Sequence, residues 1–294
     1  MRLALGTVQF GLDYGISNKN GRPSYSEVER ILHLANTENI KVLDTALGYG
    51  ESHHSLATYE PLHSQFSIVT KLPPLHADIF SQTDIERYIR YVEQCFIDLK
   101  CTSLKALLFH QASDAFKPGV KALLDYLKEQ KNTHRIQQLG VSVYSDTPAS
   151  LLCESSFIDL VQLPFNAFDD YFKKTGVLKA LASHGVEIHS RSCFLQGLLL
   201  MPIEQLTPYF RPWFTQLTMF HKQAKHHNVS LLTLCLAYVA KEPEINQILV
   251  GVNSERELTE ILEAYQKVAT IDPTELINMA VDDPKLTNPA LWNK

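Results

Sequence analysis

Cysteine is scarce in this 294-residue sequence, and none of it falls at metal or disulfide spacing. Cys95, Cys101, Cys153, Cys193 and Cys235 are scattered, odd in number and without a CxxC pair. That excludes a disulfide framework or a cysteine zinc site and predicts free thiols in a reducing compartment. An excess of basic residues is also missing. Lys and Arg number 27 against 32 Asp and Glu, a formal charge of −5, whereas nucleic-acid binding calls for a basic domain or stripe. No apolar run approaches the roughly 20 residues of a membrane span. The N-terminal MRLALGTVQF reaches Gly6 and Thr7 too soon for the apolar core of a signal peptide. The adjacent pairs His53-His54 and His226-His227 make poor metal sites, because consecutive helical residues do not share a face. These absences predict a cytoplasmic protein without nucleic-acid, membrane or metal binding. With no low-complexity linker and no shift of composition, one domain over 1–294 is expected.

What the chain does have is alternation. Short β-branched runs at 3–5, 41–43, 66–70, 104–109, 136–141, 158–163, 186–190 and 247–250 have the length of buried parallel strands. Amphipathic segments lie between them. Val28, Ile31, Leu32 and Ala35 follow Ser24 and Glu27, spaced as in a capping box. Further helices are predicted over 83–99, 120–130, 148–153, 176–183, 231–240 and 254–268. Strand-then-helix repeated eight times points to an α/β fold closed as a (β/α)₈ TIM barrel, with an open doubly wound sheet as the alternative, since eight strands do not by themselves require closure. Two long loops, 11–23 and 191–214, leave strand C-termini, the end at which barrel active sites are built. Residues 271–294 allow two placements, beneath the barrel or towards its mouth.

Polar residues recur where these strands end. Asp44, Lys71, His110, Ser142, Gln162 and Arg191 each close or follow an apolar run, and a barrel points them into one mouth. Singly, each has an ordinary reading as a cap, an edge charge or a core histidine. Together, consecutive strands deliver a carboxylate, an ammonium and an imidazole to one place. Tyr49 lies five residues after Asp44, flanked by Gly48 and Gly50, which would let the loop bend and aim the phenol inward. A phenol titrates near pH 10, and a neighbouring ammonium is expected to lower that value. Asp, Tyr, Lys and His in this arrangement make a tuned acid for protonating a nascent alkoxide.

At these residues the chain resembles the aldo-keto reductase family. The resemblance runs from Leu5-Gly6-Thr7 through Asp44-Thr45-Ala46 and Tyr49-Gly50, Thr70-Lys71, His110, Gly140-Val141-Ser142, Val161-Gln162, Phe165-Asn166 and Gln196-Gly197-Leu198-Leu199 to Gly251-Val252-Asn253-Ser254. It implies a carbonyl-reducing oxidoreductase with Asp44, Tyr49, Lys71 and His110 as a catalytic tetrad and Tyr49 as proton donor. It also implies NADP(H) extended across the mouth without a Rossmann fold, in keeping with the lack of a GxGxxG motif.

By position, Thr7, Val8 and Asp44 would lie near the nicotinamide, and Ser142 and Gln162 would hold its carboxamide. His189 would lie under the ring, with Ser190, Arg191, Ser192, Gln196 and Gly197 bordering the pyrophosphate. Gly251, Val252, Asn253, Ser254 and Glu257 would meet the adenosine phosphate. Three departures stand out. Val143 replaces an Asn after the fifth strand, His189 replaces a Tyr or Phe, and Glu257 falls at a usually basic or amide position. The last leaves NAD(H) as an alternative to the favoured NADP(H).

Phe10, Tyr14, Phe80, Phe194 and Trp213, with Tyr49 and His110, are the expected walls for a small carbonyl substrate. The opening from Gly6 to Ile16 looks like a bacterial branch of the family that points to sugar-derived carbonyls. Two other functions are compatible with the same residues: a cofactor-binding regulatory protein with little turnover, and a barrel lyase using Lys71 as a Schiff-base nucleophile. Neither substrate, reaction direction nor oligomeric state is legible.

Overall fold

In the computed structural model, which describes residues 1–18, 20–144 and 149–292, all eight expected strands form. They are β1 (Leu3–Gly6), β2 (Val42–Asp44), β3 (Ser67–Leu72), β4 (Leu104–Phe109), β5 (Ile136–Ser142), β6 (Leu160–Pro164), β7 (Glu187–Arg191) and β8 (Gln247–Gly251). They pair in chain order, all parallel, and β8 closes on β1 through Leu3↔Ile248 to Gly6↔Gly251. The molecule is therefore a single-domain (β/α)₈ barrel, as the strand–helix alternation predicts.

Side chains alternate along each strand, and this sets the layers of the barrel. Ala4, Val42, Val69, Ala106, Leu108, Leu160 and Leu249 form one buried cluster on the inner face. Two residues further along the same strands come Asp44, Lys71, His110 and Gln162. The polar residues thus form the next layer up, over an apolar plug. Several strands run a residue or two beyond their expected ends, so Asp44, Lys71, Ser142 and Arg191 belong to the strands themselves.

The longer helices pack an apolar stripe against the outside of the strands. They are α1 (Tyr25–Thr37), α2 (Gln82–Leu99), α3 (Lys121–Asn132), α4 (Val177–Ser183), α5 (Phe214–His226), α6 (Leu231–Ala240) and α7 (Glu255–Lys267). Ser24 caps α1 by accepting from the Glu27 amide, but the Glu27 carboxylate accepts from Glu255 N at 2.7 Å instead of completing a box. The full capping box belongs to α2, between Ser81 and Asp84. Of the helix expected over 148–153, Ala149–Cys153 is formed, and Pro148 lies outside the described residues. Helix α5 has no counterpart among the expected elements; it forms because Leu217, Phe220 and Ala224 bury one face. Among the described residues no helix is long and apolar enough to cross a membrane.

Beyond α7 the chain climbs to the mouth rather than passing beneath the barrel. Val281 N donates to Phe168 O at 2.9 Å, Tyr209 donates to Lys285 O at 2.9 Å, and Trp292 meets Phe210 edge to face at 5.0 Å.

Candidate active site

A cleft of about 850 Å³ opens at the C-terminal ends of the strands, with the polar layer as its floor. Lys71 is fully buried. Its ammonium donates to Asp44 Oδ1 and Oδ2, each at 2.7 Å, and to Thr45 O at 2.9 Å. Gln162 Nε2 donates to Asp44 Oδ1 at 2.7 Å. Tyr49 Oη lies 3.5 Å from Lys71 Nζ, and the Tyr49 ring meets His110 edge to face with centroids 5.8 Å apart. The four residues that the sequence singles out as a tetrad therefore converge on one point of the floor.

The loop carrying Tyr49 is held by backbone packing. A Cβ on Gly11 would fall 1.7 Å from Tyr49 O and 2.5 Å from Ser52 N. Gly50 has a φ of +54°, and a Cβ there would meet Gly11 O at 2.5 Å. The turn is thus built by Gly11 and Gly50. Gly48, expected to help it bend, has no close neighbour and an unexceptional backbone. Thr7 Oγ1 and Ser52 Oγ, 2.8 Å apart, and Thr45 Oγ1, 3.0 Å from Ser52 Oγ, tie β1, β2 and the loop together behind the phenol.

The electrostatics depart from one expectation. Burial pushes the Tyr49 phenol above its ordinary value, the Asp44 carboxylate adds to this, and Arg191 opposes it. The lowering expected from Lys71 does not prevail, because both Asp44 oxygens neutralise the ammonium at 2.7 Å. Tyr49 accordingly keeps its proton at neutral pH. Burial, with the Lys71 charge, lowers His110 to about 4, so its imidazole is neutral at physiological pH. The Lys71 ammonium is drawn down by burial and held up by Asp44. Its protons point to the two Asp44 oxygens and the Thr45 carbonyl, which hold the side chain in place.

Most of the expected cofactor residues border the cleft. Thr7, Val8, Asp44, Ser142 and Gln162 do so beside the floor. Arg191, Ser192, Gln196 and Gly197 line its middle, and Gly251, Asn253 and Glu257 its far end. Four expected residues lie elsewhere. His189 is completely buried, with Nε2 2.8 Å from Glu187 Oε1; Arg191, on the same strand face but two residues further along, takes the place at the mouth. Ser190 is buried at the β7–β8 seam, 3.3 Å from Gln247 O. Val252 is core, and Ser254 caps α7.

Of the expected substrate walls, Tyr14 and Phe194 line the cleft beside Tyr49 and His110. Phe10, Phe80 and Trp213 do not; each is buried, Phe80 against Tyr88 at 5.1 Å and Trp213 against Tyr209 at 5.8 Å. Burying a ring among apolar neighbours is worth more than leaving it in a wet mouth. Sequence reading missed Tyr144, whose ring lies 4.1 Å under the Arg191 guanidinium, and Trp292 with Pro289 and Ala290 from the C-terminal segment. Tyr144 had a signal, standing two residues after Ser142; Trp292 had none, being distant in sequence from every strand.

The family model for the aldo/keto reductase family matches residues 2–281. The chain belongs to that family. Aldo/keto reductases are oxidoreductases of carbonyl compounds and use nicotinamide cofactors, so the chain is an oxidoreductase of that kind. Two solved structures, both assigned to the aldo-keto reductases of Pseudomonas aeruginosa, align with 91% of it at 18% identity. The TM-scores are 0.64 and 0.66, over 91% and 90% of those chains. At that identity the likeness speaks for the fold alone. No curated protein matches the chain in sequence.

The aldo/keto reductase cleft fits a dinucleotide on its own chemistry. Its volume lies in the range of small-molecule sites. Its rim supplies hydroxyl and amide groups from Thr7, Ser142, Gln162, Ser192 and Asn253, and one guanidinium, Arg191. The side-chain oxygen of Gln9, in the cleft wall, is buried without a partner.

Proposed function

We propose that this aldo/keto reductase reduces an aldehyde or ketone to an alcohol, reversibly, with Tyr49 as the proton donor. The bound nicotinamide supplies or accepts the hydride. Thr7, Ser142, Gln162, Arg191, Ser192, Gln196, Gly197, Gly251 and Asn253 would hold the dinucleotide along the cleft. The observation that carries the reading is the placement of Tyr49 Oη 3.5 Å from an ammonium that Asp44 grips through both oxygens.

As negative charge grows on the carbonyl oxygen, the nearby ammonium becomes more stabilising to a phenol that is losing its proton. A field fixed in advance in a dry site acts most strongly at that moment. Burial keeps Tyr49 loaded with its proton until an alkoxide, a stronger base, draws it off. His110, neutral and edge-on to Tyr49, is placed to donate a hydrogen bond to the carbonyl oxygen and fix its direction. Asp44 orients Lys71, and Gln162 orients Asp44. The hydroxyl groups of Tyr14 and Tyr144 at the cleft edge support a polar, sugar-derived carbonyl over a purely apolar one.

The test pairs binding with turnover. Wild type should quench on titration with reduced dinucleotide and oxidise it against a panel of aldehydes and ketones. Tyr49→Phe should bind dinucleotide within about threefold of wild type yet lose about 10²–10⁴ in kcat, the usual worth of a general acid. Full activity in Tyr49→Phe would overturn the assignment. Tight binding by wild type with no turnover of any carbonyl would favour a regulatory protein.

A further inference from the structure

Resting on that reading, we propose that the far end of the cleft selects a dinucleotide with a free 2′-hydroxyl, so that the chain binds NAD(H) in preference to NADP(H). With its nicotinamide at Tyr49, a dinucleotide lying along the β7 and β8 loops brings its adenosine ribose to the start of α7. There the wall carries two carboxylates, Glu257 and Glu260.

The N-terminus of a 13-residue helix such as α7 would ordinarily attract an anion through its unpaired amides. Here two of those amides, and the Asn253 amide just before them, are already taken, two of the three by carboxylates. Glu257 Oε2 accepts from Asn253 N at 2.7 Å and sits 3.5 Å from Asn253 Nδ2. Glu27 Oε1 accepts from Glu255 N at 2.7 Å, and Ser254 Oγ accepts from Glu257 N at 3.2 Å.

Two arginines beside the start of α7 are paired with carboxylates. Arg256 pairs with Glu260 at 3.4 Å, and Arg30 pairs with Glu27 and lies 3.8 Å from Glu255. Among the described residues Arg191 is the only Lys or Arg lining the cleft. It lies in the middle of the cleft, stacked on Tyr144 and donating to Val143 O at 2.9 Å, where its charge acts on Tyr49 and His110.

Among the described residues the far end of the cleft is therefore lined by carboxylates and by no Lys or Arg. A carboxylate accepts a hydrogen bond from a ribose 2′-hydroxyl, whereas a 2′-phosphate needs an arginine or lysine in that place. The dianion would instead face Glu257 and Glu260. This settles on the NAD(H) alternative that the sequence left open because of Glu257.

Calorimetric titration of the full chain with NADH, NADPH, 5′-AMP and 2′,5′-ADP reads this without turnover. NADH should bind at least about tenfold tighter than NADPH, and 5′-AMP tighter than 2′,5′-ADP, as expected for two like charges near the phosphate. The double variant Glu257→Gln with Glu260→Gln keeps the acceptor for Asn253 N and removes both charges. It should shrink the NADH:NADPH ratio at least about threefold. If that variant does not fold, the wild-type ratio and the two fragments still decide.

NADPH binding as tightly as NADH, or a ratio untouched in a folded double variant, overturns the inference while the reductase assignment stands. If no dinucleotide binds, the reductase assignment falls and takes the inference with it.

Discussion

Lys71 is the residue on which the site turns. It is a cation without solvent, retained because Asp44 and the Thr45 carbonyl satisfy every proton it carries. Replacing it by Met should leave the Asp44 carboxylate buried with Gln162 as its remaining side-chain donor. Breaking a buried pair on one side costs about 3–5 kcal/mol. Denaturant unfolding of Lys71→Met should show a loss of that size, together with loss of turnover; unchanged stability would mean that Asp44 is not held as an ion. Tyr49 and His110 illustrate the opposite effect of burial, which keeps one group protonated and the other neutral at the pH where each is needed. His189 shows why residue type alone misleads. An imidazole near the end of β7 invites a place in the mouth, but on the same strand face Arg191 stands two residues further along, and His189 is buried against Glu187.

At the scale of elements, the loop after β2 is fixed by the first turn after β1. The contact between Gly11 and Gly50 is backbone on backbone, with no flexible side chain to give way. Gly11→Ala should therefore cost about 2–4 kcal/mol, in the range of severe core overpacking. It should also lower kcat by displacing Tyr49, whereas Gly48→Ala should change neither by much. Thermal unfolding and steady-state rates on the two variants separate these outcomes; equal effects would remove Gly11 from the support of Tyr49. Helix α7 shows how a terminus can be turned from an anion site into its reverse. Its dipole still favours negative charge, but that charge is supplied by Glu257 and Glu27 from within the chain.

For the whole molecule, burial of titratable groups sets how stability depends on pH. His53 and His110 are each lowered by burial to about 4 from an ordinary 6.5. Between those values the unfolded chain binds more protons than the folded one. Their contribution is therefore complete above pH 6.5 and is lost as pH falls towards 4. The slope is up to about 1.4 kcal/mol per pH unit for each. Asp169, raised by burial from 3.8 to about 6, works in the opposite sense below pH 6 but is outnumbered. Chemical denaturation at pH 7, 6 and 5 should show stability falling throughout, and less steeply in His53→Gln. A flat or rising profile on acidification would contradict the buried, neutral state of both histidines.

How much of this was legible beforehand depends on the distance over which each feature is determined. Strand and helix are local matters of apolar period and caps, and the eight strands follow from runs such as 104–109 and 247–250. Eight strand–helix repeats favour closure over an open doubly wound sheet, and the pairing of β8 with β1 decides it. Asp44, Lys71 and His110 were legible because a strand end is a sequence feature and a barrel gathers strand ends. By itself the sequence thus determined the strand–helix repeats and the four residues on the barrel floor. Only the tertiary structure decided which aromatics face the cleft. Phe10, Phe80 and Trp213 found apolar partners and went into the core, while Tyr144 stayed at the rim under Arg191 and Trp292 returned to the mouth from the end of the chain. Those choices rest on contacts between residues far apart in sequence. The protonation of Tyr49 belongs with them, because it is set by burial and by the neutralisation of Lys71, neither of which any one segment contains.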